Sequence, residues 1–393
     1  MSKHRVLLLS SLMLRGYGVT VVAEQLSKRL EQHGWELFIG CLMSDESSAS
    51  NKISVIQANE SEILNFCRAQ EIEIVIAQTS PYFEVLPAIQ KFFPTIAYDF
   101  GDPAPYLFDH DKNDRAEVRQ NKIDHVYPKI GRVLTISEFL RHDIGWPEAG
   151  VLYLGADHVA NLGTKPSQLP TRRSSQALRV GTLMRLGEGE SKYKGNELMR
   201  QIISELQDLI QVQPAVLGRG QNSDAVEWQE AGFEVILNAT DDERRDYLRN
   251  LDVFISPSLW EGFNLPLVEA QALGTVGIAF DTGAHPETTP FLASSVFEVV
   301  EMLNGWSTNL DQLEKVSNLS YSYVSGKFQW DKTASGLAAH LDEVCRLHQR
   351  KGRAAYFVHR IHNGVSRLWR LFQREGLLKG LRKICGRLLH LPR

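Results

Sequence analysis

Short apolar runs alternate with helical stretches along most of the chain, and this alternation constrains the fold more than any other feature. The first run, Arg5–Ser10, precedes a loop and the segment Gly18–Gln32, whose apolar residues recur every four positions. Such alternation predicts βα units and a parallel sheet, because parallel strands need a crossover connection. The other strands predicted in this half are Trp35–Cys41, Ile53–Gln57, Ile72–Ala77, Thr95–Asp99 and Gly131–Ile136.

The same alternation begins again at Leu178. The predicted strands there are Leu178–Met184, Pro214–Leu217, Glu234–Leu237, Val253–Ser256 and Thr275–Phe280. The predicted helices are Gly195–Leu209, Asp241–Asn250 and Leu265–Leu273. Between the two series, Asn161–Ala177 is rich in Pro, Ser and Thr and has no apolar period, which is typical of a linker.

A chain of 393 residues is long enough for two domains that each bury a core. We therefore expect an α/β protein with two Rossmann-like, doubly wound domains. The expected divisions are a first domain over 1–160, a linker over 161–177, a second domain over 178–349 and a tail over 350–393. Open α/β sheets bind ligands at the carboxyl ends of their strands, so the cleft between the domains is the expected active site.

The tail differs from the rest of the chain in charge. Residues 350–393 contain twelve Lys or Arg and one acid, Glu375, and so carry +11, whereas the whole chain carries −4 and the preceding residues −15. Apolar residues from Phe357 to Leu388 recur at helical spacing among these cations. The pattern favours amphipathic helices on an anionic membrane surface. Packing against the acidic body, or binding a partner or RNA, would also explain it, although no base-reading motif supports nucleic-acid binding.

Cysteine content and hydropathy set the expected compartment. The four cysteines lie far apart, without metal-ligand spacing or a dense disulfide framework, which indicates a reducing compartment: Cys41, Cys67, Cys345 and Cys385. No segment has the roughly 20 apolar residues of a spanning helix. The apolar run near the N-terminus is short and reads better as a buried strand than as a signal peptide. We expect a cytoplasmic protein, with the tail on the inner face of the membrane.

The most informative segment runs from Ser256 to Gly274. A predicted strand ends at Ser256, a glycine-containing loop follows, and Pro266 marks a helix start, where its missing N–H costs little. The amides of a helix start are free to face an anion or hydroxyl groups. Glu261 in the loop and Glu269 in the helix can face one ligand, although spacing alone is equally compatible with two surface acids.

This segment resembles the glutamate-x7-glutamate motif of glycosyltransferase family 4, the glycosyl transferases of group 1, which have the GT-B fold. The family pattern PS-x-x-EGFGLP-x-x-EA-x-A-x-G is matched closely from Pro257 to Gly274. Other resemblances follow the family order along the chain: Gly16-Tyr-Gly18, Thr135-Ile-Ser137, Leu154-Gly155-Ala-Asp157, Val180-Gly181 through Arg185, Lys194-Gly195, Gly283 through Glu287, and Phe328-Gln-Trp330. The resemblance covers about residues 5 to 345.

The resemblance implies roles in binding a nucleotide-sugar donor. Arg185 and Lys194 would hold the donor diphosphate, whose negative charge increases as it leaves. Glu269 would accept hydrogen bonds from ribose hydroxyls, and Glu261 would contact the sugar. The donor would also lie against the backbone of six further residues: Gly16, Gly18, Gly262, Phe263, Asn264 and Leu265.

The chain departs from the family pattern at two candidate positions. Asn264 replaces the second loop glycine, and Asn tolerates left-handed backbone geometry better than most residues. Many relatives carry a histidine after the strand that here ends at Asp99, so Asp99 or Asp102 is the nearest candidate polar group in the first domain. Capping of a turn by Asp before Pro103 is the alternative. We expect no metal and no cofactor, because no carboxylate pair stands at a suitable strand end.

The expected activity is that of a retaining glycosyltransferase. It would move a sugar from a nucleoside-diphosphate sugar to a glycan or lipid-linked acceptor in cell-surface polysaccharide or glycolipid synthesis. Glu261, Asp99, Arg185 and Lys194 are the candidate catalytic residues. Two other classes stay open: a nucleotide-sugar epimerase or phosphorylase of the same fold, and a non-catalytic scaffold protein.

Overall fold

The computed structural model describes residues 3–45, 52–108, 110–160, 177–186 and 191–350. The expected linker, apart from Ala177, and the expected tail, apart from Arg350, therefore lie outside the described residues. The domain limits predicted from the sequence stay predictions.

The first sheet has seven strands in the order β3-β2-β1-β4-β5-β6-β7, and every neighbouring pair is parallel. Its strands are β1 (His4–Met13), β2 (Trp35–Ser44), β3 (Ile53–Val55), β4 (Ile74–Ala77), β5 (Thr95–Asp99), β6 (Arg132–Thr135) and β7 (Gly150–Val151). The helices between them are α1 (Gly18–Arg29), α2 (Glu60–Ala69), α3 (Tyr82–Ile89), α4 (Lys112–Asn121) and α5 (Glu138–Asp143).

The second sheet has six parallel strands in the order β10-β9-β8-β11-β12-β13. Its strands are β8 (Leu178–Arg185), β9 (Val212–Arg219), β10 (Glu234–Leu237), β11 (Val253–Ser256), β12 (Val276–Phe280) and β13 (Phe291–Ala293). Its helices are α6 (Ser191–Lys194), α7 (Asn196–Gln207), α8 (Val226–Glu230), α9 (Asp241–Arg249), α10 (Leu265–Ala272), α11 (His285–Thr288), α12 (Val296–Ser307) and α13 (Leu310–Ser325), followed by α14 (residues 330–350). In both sheets the strand order reverses beside the first strand, as in a doubly wound fold. The prediction of two Rossmann-like domains is confirmed.

The central strands read as continuous apolar runs because helices cover both faces of each sheet. All four residues of β4 and all five of β12 are buried. Strand β1 continues to Met13, three residues beyond the predicted end. It is paired with β2 over this extension too, where Met13 lies opposite Ser44. Ser137 caps α5 as the sequence predicts, since its hydroxyl accepts a hydrogen bond from the Leu140 amide at 3.1 Å.

The start of α14 packs against the first domain. The Trp330 amide donates to the Asp157 carboxylate at 2.7 Å, and the Thr333 hydroxyl donates to the Tyr153 carbonyl at 2.6 Å. A methyl group added at Gly155 would lie 2.2 Å from the Trp330 nitrogen. The chain therefore returns from the second sheet to the first, and a glycine permits this close approach.

A carboxylate of the second domain caps a helix of the first. Glu287, on α11, accepts hydrogen bonds from the amides of Glu138 and Phe139 at 2.8 and 2.7 Å, and from the Tyr153 hydroxyl at 2.7 Å. The first amides of a helix have no partner within the helix, and the helix dipole favours an anion there. This contact joins the second domain to the first.

Among the described residues, none of the helices combines the length and the apolar character needed to span a bilayer.

We predict that Gly155→Ala lowers the free energy of unfolding by about 1–3 kcal/mol, because the new methyl group must push Trp330 away. Gly305→Ala is the matched control. Gly305 lies inside α12 with open space around it, so alanine there should be neutral or stabilising by up to about 1 kcal/mol. Thermal unfolding measures both, and equal stabilities would contradict the packing described.

Candidate active site

A cavity of about 420 Å³ lies where the carboxyl ends of the two sheets face each other. The first domain contributes the loop and helix start at 15–19 and the segment at 100–103. The second domain contributes the ends of β8, β9 and β10 and the loop over 260–266. The size is typical of a small-molecule site.

The 260–266 loop takes its shape from Asn264. This residue adopts a left-handed conformation with φ of 65° and is buried. Its side-chain oxygen accepts from the Leu267 amide at 3.2 Å and thereby caps α10, while its amide nitrogen lies 2.9 Å from Nε2 of His285. Asparagine in place of the family glycine thus keeps the turn and adds a cap.

His285 is neutral and part of the wall behind this loop. Its Nδ1 lies 2.8 Å from the Phe280 carbonyl and therefore carries the proton, which leaves Nε2 to accept from Asn264. Burial lowers the pKa of His285 below its ordinary value. The histidine stabilises the loop and does not reach the cavity surface.

Lys194 and Glu261 form an ion pair on the cavity wall, with 2.7 Å between Nζ and Oε1. Both side chains are partly buried, and Lys194 comes from the short helix α6. The next residue, Gly195, has φ of 73°, and a methyl group there would lie 2.1 Å from the Pro257 carbonyl oxygen. Only glycine permits this approach, which brings Lys194 to the glutamate loop.

Arg185 stands at the end of β8 beside the first-domain glycine loop. Its guanidinium lies 4.7 Å from the centre of the Tyr17 ring, and that of Arg219 lies 4.9 Å from the same ring. Arg219 also donates to the Arg15 carbonyl at 2.6 Å. Gly16 has φ of 79°, which a side chain would disfavour, and Gly18 begins α1.

Arg219 also lines the cavity, and no sequence motif indicates it as a site residue. The feature that could have indicated Arg219 is its position at the end of β9, next to β8. Arg219 is paired in register with Arg185 on the neighbouring strand, so both cations emerge from the same edge.

Glu269 does not line the cavity, whereas the sequence predicts that it contacts the ribose hydroxyls of the donor. Its carboxylate is fully buried and is paired with Arg244 and with His158, whose Nε2 lies 3.0 Å from Oε1. Burial by itself raises the pKa of Glu269, but the charges and hydrogen bonds of Arg244 and His158 bring it below its ordinary value. Arg244, rather than Glu269, lines the cavity.

The structure does not bring Asp99 to the cavity, which corrects the expectation that it acts on substrate. Its carboxylate is buried and accepts from Lys122 at 2.7 Å, from the Tyr127 hydroxyl and from the Gly101 amide at 2.8 Å. Burial raises the pKa of Asp99, and the buried ammonium of Lys122 more than offsets this, so that the pKa lies below its ordinary value. Asp99 therefore stabilises the loop at 100–103, and this loop lines the cavity.

The other predicted residues do lie together. Gly16, Gly18, Arg185, Lys194 and the loop residues all line the cavity; those of the loop are Glu261, Gly262, Phe263, Asn264 and Leu265. Within the described ranges, no group of three or more His, Cys, Asp or Glu side chains has a geometry that could hold a metal ion.

Residues 179–297 match the family model described as glycosyl transferases group 1. The matched residues lie within the second domain. A lipopolysaccharide core biosynthesis mannosyltransferase, LpsB of Rhizobium meliloti, is 27% identical over 110 residues, which are 26% of this chain and 31% of the relative. A D-inositol 3-phosphate glycosyltransferase of Streptomyces bingchenggensis is 31% identical over 117 residues, 28% of this chain and 26% of the relative. The alignments thus span about a third or less of these curated relatives.

Solved structures match the architecture of almost the whole chain. HepE of Anabaena, solved in complex with UDP-glucose, superposes with a TM-score of 0.69 at 15% identity and covers 86% of this chain and 99% of its own. At this identity the likeness shows the fold alone. Together with the two parallel sheets, it shows that the chain has a GT-B fold.

We predict that Asp99→Asn destabilises the protein by about 3 kcal/mol, because Lys122 loses its buried counter-ion. Asp102→Asn is the control. Asp102 also contacts Lys122 but is 37% exposed, so its loss should cost less than about 1 kcal/mol. Urea unfolding measures both values.

The destabilisation by Asp99→Asn should also depend on pH. Because the pKa of Asp99 is lowered on folding, its stabilisation is fully present above the unfolded-state pKa near 4 and is lost as the pH falls through the folded-state pKa. The difference between wild type and variant should therefore shrink in acid. If a folded Asp99→Asn protein loses ligand binding at neutral pH, Asp99 contributes to the binding site and its role is not only structural.

Proposed function

We propose that this protein is a retaining glycosyltransferase that uses a nucleoside-diphosphate sugar. The observation that carries the proposal is the convergence of Arg185 and Lys194 on one cavity, opposite the start of α1. A helix start with free amides and two fixed cations favours a diphosphate.

The same arrangement suits the chemistry of glycosyl transfer. As the sugar–oxygen bond breaks, negative charge develops on the leaving diphosphate, and preorganised cations lower the energy of that state. Arg185 and Lys194 take this role in the proposal. Glu261 holds Lys194 in place and offers its carboxylate to hydroxyl groups of the sugar.

The proposed mechanism retains the configuration of the sugar. With the diphosphate held by Arg185 and Lys194, the acceptor approaches the same face of the sugar and gives its proton to the departing phosphate oxygen. Asp99 takes no part, because its carboxylate is occupied by Lys122 and Tyr127. Arg185 and Lys194 are thus the proposed catalytic residues.

The relatives favour a glycan or lipid-linked acceptor. One is named as a mannosyltransferase of lipopolysaccharide core synthesis, and a protein of similar fold was solved with UDP-glucose. We propose cell-surface polysaccharide or glycolipid synthesis as the setting, at the cytoplasmic face of the membrane. The basic, amphipathic sequence of 350–393 supports this location.

Turnover of donor sugars tests the proposed activity. Purified protein is incubated with UDP-, GDP-, ADP- and dTDP-sugars, with and without a lipid-linked or oligosaccharide acceptor, and nucleoside diphosphate release and product anomers are followed by NMR. We expect release with one nucleotide class, stimulated by acceptor, and a product with the donor's anomeric configuration.

Variants connect this activity with the site. Arg185→Ala and Lys194→Ala should each lower kcat by roughly 100-fold or more, because each removes a cation that stabilises the negative charge on the leaving diphosphate. Lys192→Ala is the control from the same short helix, and it should retain activity because Lys192 does not line the cavity. Donor conversion to an isomer without any acceptor would favour the epimerase, and no nucleotide binding would favour the scaffold protein.

Vesicle binding tests the proposed role of the tail. The full chain should co-sediment with vesicles that contain anionic lipid but not with purely zwitterionic ones, and the binding should weaken with salt. Replacing Arg360, Arg367, Arg370 and Arg374 with Gln should abolish it. Binding to RNA but not to vesicles would contradict the membrane assignment.

A further inference from the structure

Tyr17 of the first domain contacts two cations of the second. The centre of its ring lies 4.7 Å from the guanidinium carbon of Arg185 and 4.9 Å from that of Arg219. All three residues line the cavity. The two guanidiniums therefore share one aromatic ring across the boundary between the domains.

The pairing of β8 with β9 brings these two like charges together. Arg185 and Arg219 end the neighbouring strands and are partners in register, so both leave the sheet at the same edge. Like charges at paired positions repel each other and drive the side chains apart. The negative face of an aromatic ring attracts a guanidinium without acting as a hydrogen-bond acceptor for its N–H groups. The contact with Tyr17 therefore offsets the repulsion without using donors that a phosphate needs.

The loop that carries Tyr17 has a fixed position on the first domain. The Arg15 amide donates to the Asp45 carboxylate at 2.8 Å, and the Arg15 carbonyl accepts from Arg219 at 2.6 Å. The Tyr17 carbonyl accepts hydrogen bonds from two amides in the first turn of α1, at 3.0 and 3.1 Å. The ring is thus presented to the cations from a backbone that is held on both sides.

Restricting the two arginines before a ligand arrives favours binding. A mobile arginine side chain loses rotamer freedom when it binds, and this loss weakens the affinity. Arg185 is exposed on the cavity wall and Arg219 is partly exposed, so both would move more freely without the ring. Two linked phosphate groups can engage both guanidiniums at once, and they gain most from this restriction.

We propose that Tyr17 is a positioning residue that holds Arg185 and Arg219 together as a paired site for two linked phosphate groups. The site is complete only when the first-domain loop lies against the second domain, because the ring and the cations come from different domains. The inference rests on the proposed function, in which Arg185 binds the donor diphosphate, and it adds Arg219 and Tyr17 to that site.

Calorimetric titration of inorganic pyrophosphate into the full chain tests this inference, because pyrophosphate has the linked phosphate groups without a base or a sugar. The variants are Tyr17→Ala, Tyr17→Leu and Tyr17→Phe. Tyr321→Ala is the control, since Tyr321 is partly exposed on α13 and does not line the cavity.

The ring, and not the hydroxyl, should determine the affinity. We expect a roughly tenfold rise in Kd for Tyr17→Ala and Tyr17→Leu, because two cation–π contacts are lost. Tyr17→Phe keeps the aromatic face and should change Kd by less than about twofold, as should the control. Thermal unfolding checks that each variant is folded, and the leucine variant, which fills the space without an aromatic face, replaces the alanine variant if that one is not.

An Arg219→Ala background shows whether the ring acts through the cations. There the effect of Tyr17→Ala on Kd should fall from about tenfold to about threefold, because one of the two contacts is already absent. A full tenfold effect in this background would show that the ring contacts the ligand directly, and it would overturn the proposal.

Three further results would overturn it: unchanged or tighter pyrophosphate binding by Tyr17→Ala and Tyr17→Leu, a Tyr17→Phe variant as weak as the alanine variant, and no pyrophosphate binding by wild type. Failure of the proposed function gives a different result. In that case wild type binds pyrophosphate with the expected dependence on Tyr17 but neither binds nor turns over a nucleoside-diphosphate sugar.

Discussion

The Glu287 carboxylate supports the site from a distance, because it joins the two sheets whose edges form the cavity. It accepts two amide hydrogen bonds from the start of α5 and one from Tyr153, so a second-domain anion satisfies first-domain donors that would otherwise lack partners. The return of α14 through Trp330 and Asp157 adds a second connection. Arg219 joins the domains at the cavity itself, because it donates to the Arg15 carbonyl beside the glycine loop.

Charge is distributed unevenly around the cavity, and this distribution explains what the site can bind. Cations line its wall at Arg185, Arg219 and Arg244, and the exposed carboxylate of Asp241 lines it as well. Glu261 is paired with Lys194 and Glu269 with Arg244. The wall therefore presents a net positive field to a diphosphate while each buried anion keeps a partner.

The sequence predicted most of the fold because buried parallel strands are continuous apolar runs with helices between them. It also predicted the cavity residues that belong to local motifs, such as Lys194 before its required glycine and Glu261 in the loop after β11. Asp99 and Glu269 were placed wrongly with respect to the cavity, because their surroundings depend on Lys122, Arg244 and His158, which come from other elements. Arg219 was missed for the same reason, since strand pairing, not sequence spacing, brings it beside Arg185.

In the proposed function, the cations at the end of β8 and on α6 hold the second phosphate of a nucleotide. The most direct test compares the affinities of a nucleoside diphosphate and the matching monophosphate, in wild type and in an Arg185→Ala, Lys194→Ala double variant. We expect the diphosphate to bind wild type at least about tenfold more tightly than the monophosphate, and the variant to lose this preference. Equal affinities in wild type, or a preference that survives in the variant, would contradict it.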